Sequence, residues 1–230
     1  MNRALKVRRA IIVLLLSAAA CVVVILHPGF NQVPSTPSSP SSVQGEAAAV
    51  LQTLEVKGRA PKTGYERKQF GDGWAEKGGC DTRNIILVRD LSNVALNDKC
   101  QVLSGFLNDP YTAKTISFQR GAGTSDDIQI DHVVALSDAW QKGAQQLNTT
   151  QREALANDPL ELLAVDGAAN QQKSDGDAAT WLPPNKAFRC QYVARQVAVK
   201  KKYFLWVTVA EKEAMLHQLV NCPGQPLPEA

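Results

Sequence analysis

An α+β fold in a single disulfide-supported domain is what the sequence predicts, and three observations carry the expectation. Short apolar runs of strand length alternate with segments of helical period that open on capping residues. No internal repeat is visible, and the 230 residues, once a leader and a spacer are set aside, suit one well-buried core. Outside the leader the cysteine count is even, which in an exported chain reads as a disulfide framework.

The elements follow in order. Arg3, Lys6, Arg8 and Arg9 form a basic stub, residues 10–26 carry no charge, and no acidic residue precedes Glu46. Residues 1–27 therefore read as a signal peptide or a membrane anchor. "SAAAC" at 17–21 resembles a cleavage site, whereas "VVVIL" extends the run to about the length of a spanning helix and favours an anchor with everything beyond His27 outside. Residues 28–45, rich in Pro and Ser and free of charge, form an extended, disordered spacer, so the folded domain spans 46–230.

Within that domain, "GEAAAVLQTLEVKG" predicts a short helix closed by Gly58, and "TRNIILVRDLSNVAL" at 82–96 carries the next helical pattern. "CQVLSGFLNDPYTAKTISF" at 100–118 predicts two strands around a turn at 108–111, Asp-Pro being strong turn chemistry. "DIQIDHVVAL" reads as a strand and its exit, and "LSDAWQKGAQQL" as a helix. Thr150 and Glu153 in "TQRE" have capping-box spacing for another helix. "LELLAVDG" is a short buried strand ending in a turn. Pro184 in "TWLPPNK" opens a long helix to about Lys201, and Thr208 with Glu211 caps a last one ending near Cys222.

The leader holds four of the 25 basic residues and none of the 22 acidic ones, so the rest of the chain has a net charge of −1. A bulk positive field for gripping nucleic acid is absent, and "VAVKKKY" at 197–203 reads as a solvated helix end. Cys80, Cys100, Cys190 and Cys222 allow three pairings. The local ones, Cys80 with Cys100 and Cys190 with Cys222, are favoured because each closes a loop worth about 3 kcal/mol in the chain-entropy model. A zinc site is the competing reading, and the lack of any CxxC spacing weighs against it.

The stretch "QIDHVVALSDAW" places Asp131 beside His132, one of three histidines, and "NDPLELLAVDGAANQQKSDGDAATWLPPN" places Asn170 and Lys173 downstream. A strand with Asp-His, a second strand, then a helix bearing Asn-x-x-Lys resembles the ββα-metal core of HNH endonucleases, the His-Me finger. Residues 65–222 resemble, more narrowly, secreted bacterial HNH-family proteins related to the C-terminal domain of GmrSD-type restriction endonucleases. The further motifs are "GCDTRNIILVRDL", "DPYT" and "CQYVARQVAVKKKYFLWVT".

That resemblance implies an exported phosphodiesterase acting on DNA, with RNA left open as a second substrate, and with little sequence preference. His132 suits the general base, since an imidazole titrates near neutral pH. Asp131 and Asn170 offer hard oxygen ligands for Mg²⁺ or Mn²⁺. Lys173, one turn from Asn170, and Arg83, beside Cys80, are the candidate phosphate contacts; Arg83 equally suits a helix cap or a pair with Asp90. His217 reads as structural, Asp166, Asp175 and Asp177 as turn and cap residues, and Trp140, Trp181 and Trp206 as core, with stacking on a base the alternative for Trp181. Neighbours in a regular strand point to opposite faces, so Asp131 and His132 can share a site only where the strand ends or twists. The chain departs from the HNH pattern at its middle position, where Glu161 stands for Asn. Glu161 keeps open a different class of function: a non-catalytic, envelope-associated binding protein that retains the fold. A monomer is expected, touching the membrane through the leader where that is uncleaved.

Overall fold

The structure, a computed structural model, describes residues 45–122 and 124–228. The leader and all of the spacer except Gly45 lie outside the described residues. Along the chain come α1 (Glu46–Thr53), β1 (Glu76–Lys77), β2 (Cys80–Asp81), α2 (Thr82–Asp90), β3 (Leu91–Leu96), β4 (Val102–Asn108) and β5 (Thr115–Gln119). Then follow β6 (Ile128–His132), α3 (Leu136–Gln141), α4 (Thr149–Ala156), β7 (Leu162–Asp166), α5 (Gly167–Lys173), α6 (Arg189–Lys202) and α7 (Val209–Val220), with short 3₁₀ turns at Arg67–Phe70, Ala144–Gln146 and Lys186–Phe188. The class is mixed α and β, and the described residues fall in one compact unit.

The pair β6–β7 divides the core because its side chains alternate. The two strands run antiparallel in unbroken register from Ile128 opposite Asp166 to His132 opposite Leu162. Ile128, Ile130, Leu162 and Ala164 join one apolar cluster with Ile86 and Leu87 of α2 and with Val102, Leu107 and Phe118 of the β3–β4–β5 meander. Leu163 and Val165, on the other face, join a larger cluster with Leu51, Tyr192, Val197 and Met215 from the helices. At about 1.5–3 kcal/mol for each large side chain fully buried, this two-sided burial is what holds a five-residue strand pair in one register.

α5 begins directly after β7. Asp166 caps it by accepting from the Ala169 amide, and Gly167 donates to Asp127 O at 2.9 Å. A Cβ at Gly167 would run into the Asp126 carbonyl, so only glycine lets this helix start so close to the entry of β6. Two disulfides tie the periphery: Cys80–Cys100, with Cα atoms 5.3 Å apart, joins the start of α2 to the β3–β4 loop, and Cys190–Cys222, at 6.2 Å, joins α6 to the end of α7. Both are the local pairings expected from loop length.

Several boundaries differ from expectation. The pattern at 82–96 is helical only to Asp90; Leu91–Leu96 is a strand paired with β4, where tertiary pairing overrides a helical apolar period. The first helix stops at Thr53, and Val56 instead bridges to Val207. The helix at 136–147 breaks at Gly143, whose φ of 124° favours glycine. The capping box of α4 is Asn148 with Gln151, two residues before the predicted Thr150 and Glu153, whereas Thr208 and Glu211 cap α7 as expected. Pro184 precedes a 3₁₀ turn, and the long helix begins only at Arg189.

Behind the helices lies a buried charge network. The Lys142 ammonium meets Asp138 and Asp177 at 2.8 Å and Glu211 at 2.7 Å; Lys200 meets Glu211 at 3.0 Å. Arg59 pairs with Asp138 at 2.7 Å and Asp177 at 2.8 Å. Three cations and three carboxylates compensate one another, the condition under which such charges can stay buried. The network pins the segment after α5 to α3, α6 and α7. Asp177, expected as a turn residue, is a charge partner as well.

Candidate active site

Strand alternation separates the adjacent residues of the Asp-His pair. Asp131 and Gln129 lie on the β6 face that α5 covers, and His132 lies on the opposite face. β6 ends at His132, so both side chains still reach the rim of one cleft of about 380 Å³, shared with Asn170, Arg83, Arg67 and Asp175.

On the α5 side, Asn170 and Lys173 are three residues apart and so lie on one helical face. The Lys173 ammonium donates to Asp131 Oδ1 and to the His132 carbonyl, both at 2.8 Å, with its side chain wholly buried. The Tyr111 hydroxyl donates to Asp131 Oδ2. Burial, then the Asp131 carboxylate, pushes the Tyr111 phenol well above 10, so it remains a donor. Asn170 Nδ2 donates to Gln129 Oε1 at 2.8 Å, which fixes the carboxamide and leaves its Oδ1 as an acceptor on the cleft.

On the other side, His132 Nε2 lies 3.0 Å from the Ala156 carbonyl. A carbonyl only accepts, so Nε2 carries the hydrogen and Nδ1 keeps its lone pair. The ring stacks on Trp74, centroids 5.7 Å apart and planes 5° from parallel. Burial pushes its pKa down to about 3, aided by the Arg67 charge and less by Lys173, while the Ala156 bond opposes them. The imidazole is therefore neutral across the physiological range, the state a proton acceptor needs.

Glu161 does the work of a loop tie. It is fully buried, its Oε2 accepts from the Val134 amide at 3.2 Å, and its backbone carbonyl accepts from the Val133 amide at 2.9 Å. Both bonds hold the chain just beyond His132. Burial raises its pKa well above 4.5 despite the Val134 bond and Lys173, and Asp131 adds to the rise. A buried carboxyl with Oε1 lacking a partner fits the neutral acid better than the anion.

Arg83 Nη2 donates to Ser125 O at 3.2 Å and Ile128 O at 3.1 Å, and no acid pairs with it among the described residues. Burial and then Arg120 hold its pKa below the ordinary value. It lines the cleft and caps no helix; the cap of α2 is Asp81, and the partner of Asp90 is Arg89, at 2.6 Å. Lys173 is a correction: the expected phosphate contact points inward, because the α5 face that aims Asn170 at β6 aims Lys173 there too. His217 is exposed on α7 and His27 lies outside the described residues. Trp140 and Trp206 are buried, and Trp181 packs against Tyr111 and Tyr192 rather than opening to solvent as a stacking platform.

Sequence reasoning missed Tyr111, Gln129, Arg67, Trp74 and Ala156. Gln129 could have been found, two residues before Asp131 and so on its face. Tyr111 sits in "DPYT", which signals a turn and conceals a buried donor. Nothing local links residues 67 and 74 to His132.

No cluster of three His, Cys, Asp or Glu side chains able to hold a metal occurs among the described residues. What the cleft offers is Asp131, each of whose oxygens accepts one hydrogen bond and keeps a second lone pair, and Asn170 Oδ1. Two hard oxygens fit a largely hydrated Mg²⁺ or Mn²⁺ and are a poor set for zinc.

Residues 81–218 match the family model for the C-terminal domain of GmrSD restriction endonucleases. The chain belongs to this family. All the predicted site residues except Cys80 and Cys222 fall within the matched span, so the GmrSD_C domain contains the whole cleft apart from the wall formed by Tyr65, Arg67 and Trp74. A relative, an uncharacterized secreted protein of Arthroderma benhamiae, is 37% identical over 192 residues, covering 83% of this chain and 90% of its own length. That relative is fungal, so the likeness is not confined to bacteria. No solved structure matches. Membership relates the chain to nucleases. No described helix is long and apolar enough to cross a membrane.

Proposed function

We propose that this GmrSD_C protein is an exported, metal-dependent endonuclease of the HNH type, cleaving DNA, with RNA a second candidate substrate, and with little sequence preference. The observation that carries the reading is convergence: a neutral imidazole with a free Nδ1, a carboxylate and an oriented carboxamide oxygen share one cleft with an unpaired arginine. His132 Nδ1 takes the proton of the attacking water, while the Ala156 carbonyl holds the ring and favours the cationic form that results. Asp131 and Asn170 would hold a divalent ion, which when bound supplies positive charge for the phosphate oxygens. Lys173 and Tyr111 fix the Asp131 carboxylate, and Arg83 presents its free nitrogens to a substrate phosphate. Contacts of this kind read backbone rather than sequence. Export is supported by the leader, the two disulfides and a relative described as secreted.

A non-catalytic binding protein is the second reading, and one observation favours it: His132 is only 6% exposed and its burial makes it a weak base. Incubating purified protein with plasmid and with single-stranded DNA and RNA, in Mg²⁺, Mn²⁺, Zn²⁺ or EDTA, separates the two. The nuclease reading expects cleavage in Mg²⁺ or Mn²⁺ only, and a loss of roughly 10²-fold or more in His132→Ala, the contribution of a positioned base. Activity unchanged by EDTA or by His132→Ala removes the mechanism, and no cleavage of any substrate leaves the binding protein.

A further inference from the structure

The wall of the site nearest His132 comes from outside the matched domain. Residues 67–74 precede the matched span, yet Arg67 lines the main cleft and also a second cavity of about 130 Å³ that shares Trp74, His132 and Leu136 with it. Phe70, Gly71, Gly73, Trp74, Leu136 and the His132 ring bound that cavity. One face of Trp74 stacks on His132, and both residues border the cavity, so its lining is aromatic. Arg67 is exposed at its mouth and has no acidic partner among the described residues. A cavity of about 150 Å³ holds one benzene ring, so this space suits a single planar group of that size, with a free guanidinium beside it for an anion.

We propose that Arg67 and Trp74 form a nucleotide subsite beside the scissile position, in which Arg67 binds a phosphate and the Trp74-walled cavity takes the adjoining base. The proposal rests on the nuclease reading and adds a substrate preference to it. A base inside a duplex cannot enter a one-ring cavity without leaving the stack, which costs a few kcal/mol. Single strands incur little of that cost, and a one-ring base gains by stacking on an aromatic face. The preferred substrate is therefore single-stranded or frayed nucleic acid, and duplex plasmid is the slower one.

The test compares kcat/KM of the full chain in Mg²⁺ on an oligothymidylate and on an equally long strand of abasic tetrahydrofuran residues. Stacking one base is worth about 1–3 kcal/mol, so the abasic strand should be cut roughly 5- to 150-fold less efficiently. Trp74→Leu should bring that ratio to about one, and Trp74→Phe should retain most of it. Arg67→Ala, a surface change, should lower both rates and leave the ratio standing. General damage to His132 would lower both rates equally, so the ratio reports the subsite alone. Equal cleavage of both strands by the wild type, or a ratio unaltered in Trp74→Leu, overturns the subsite while the nuclease stands. Cleavage of neither strand overturns the nuclease and the subsite together.

Discussion

Lys173→Met separates the role of Lys173 in the structure from the phosphate contact expected of it. The wild-type ammonium makes two 2.8 Å bonds, to Asp131 Oδ1 and to the His132 carbonyl, and the side chain is wholly buried. Methionine keeps much of the apolar stem but strands the Asp131 carboxylate with Tyr111 as its remaining side-chain partner. Breaking one side of a buried ion pair costs about 3–5 kcal/mol. For a domain of this size each kcal/mol moves the thermal midpoint by about 2–4 °C, so the midpoint should fall by roughly 6–20 °C. Calorimetry or circular dichroism at low ionic strength measures it. Asp131→Asn in the Lys173→Met background removes the stranded charge and should recover part of the loss. A phosphate contact behaves otherwise: stability unchanged, KM raised. A Lys173→Met midpoint within about 2 °C of the wild type would refute the inward role.

Glu161→Gln keeps an acceptor for the Val134 amide and should retain activity. The folded wild type holds this carboxyl neutral while the unfolded chain ionises above pH 4.5, so wild-type stability declines as pH rises and the glutamine variant should gain on it from pH 5 to 8 in urea titrations. For Asp177, burial pushes the pKa up, but Lys142, Arg59 and Thr180 outweigh it and set about 2. Its contribution, on the order of 1–2 kcal/mol after solvent screening, is therefore full above pH 3.8 and lost as pH falls through about 2, and Asp177→Asn should flatten the acid limb of stability. Reduction of Cys80–Cys100 and Cys190–Cys222 should each destabilise by about 2–4 kcal/mol, and non-reducing peptide maps of exported protein should recover these two links and no others.

What could be read from the sequence follows from range. β6, β7 and α5 announce themselves because alternation and capping are local, and the Cys pairings because short loops cost least to close. Leu91–Leu96 does not announce itself as a strand, because a pairing with two register shifts has no clean period of two, even though its partner is the next strand in the chain. The site divides in the same way. Asp131, His132, Asn170 and Lys173 lie on the two ends of one ββα unit, and their types and spacing were visible.

Their orientation was not, and orientation decides chemistry. Lys173 and Asn170 share a helical face, and the short link from β7 to α5 turns that face toward β6. The residue with the longer reach goes inward to Asp131, and the shorter one stays at the cleft with its oxygen free. Residues far off in the chain complete the division: Tyr111 closes the Asp131 side, and Trp74 with Ala156 closes the His132 side. An adjacent Asp and His in one strand thus obtain opposite surroundings because the pleat sends them to different faces, a charge-rich one around the carboxylate and an apolar one that keeps an imidazole neutral. This is why a regular strand ending at His132 serves the site, with no twist or bulge needed to bring both side chains to one face.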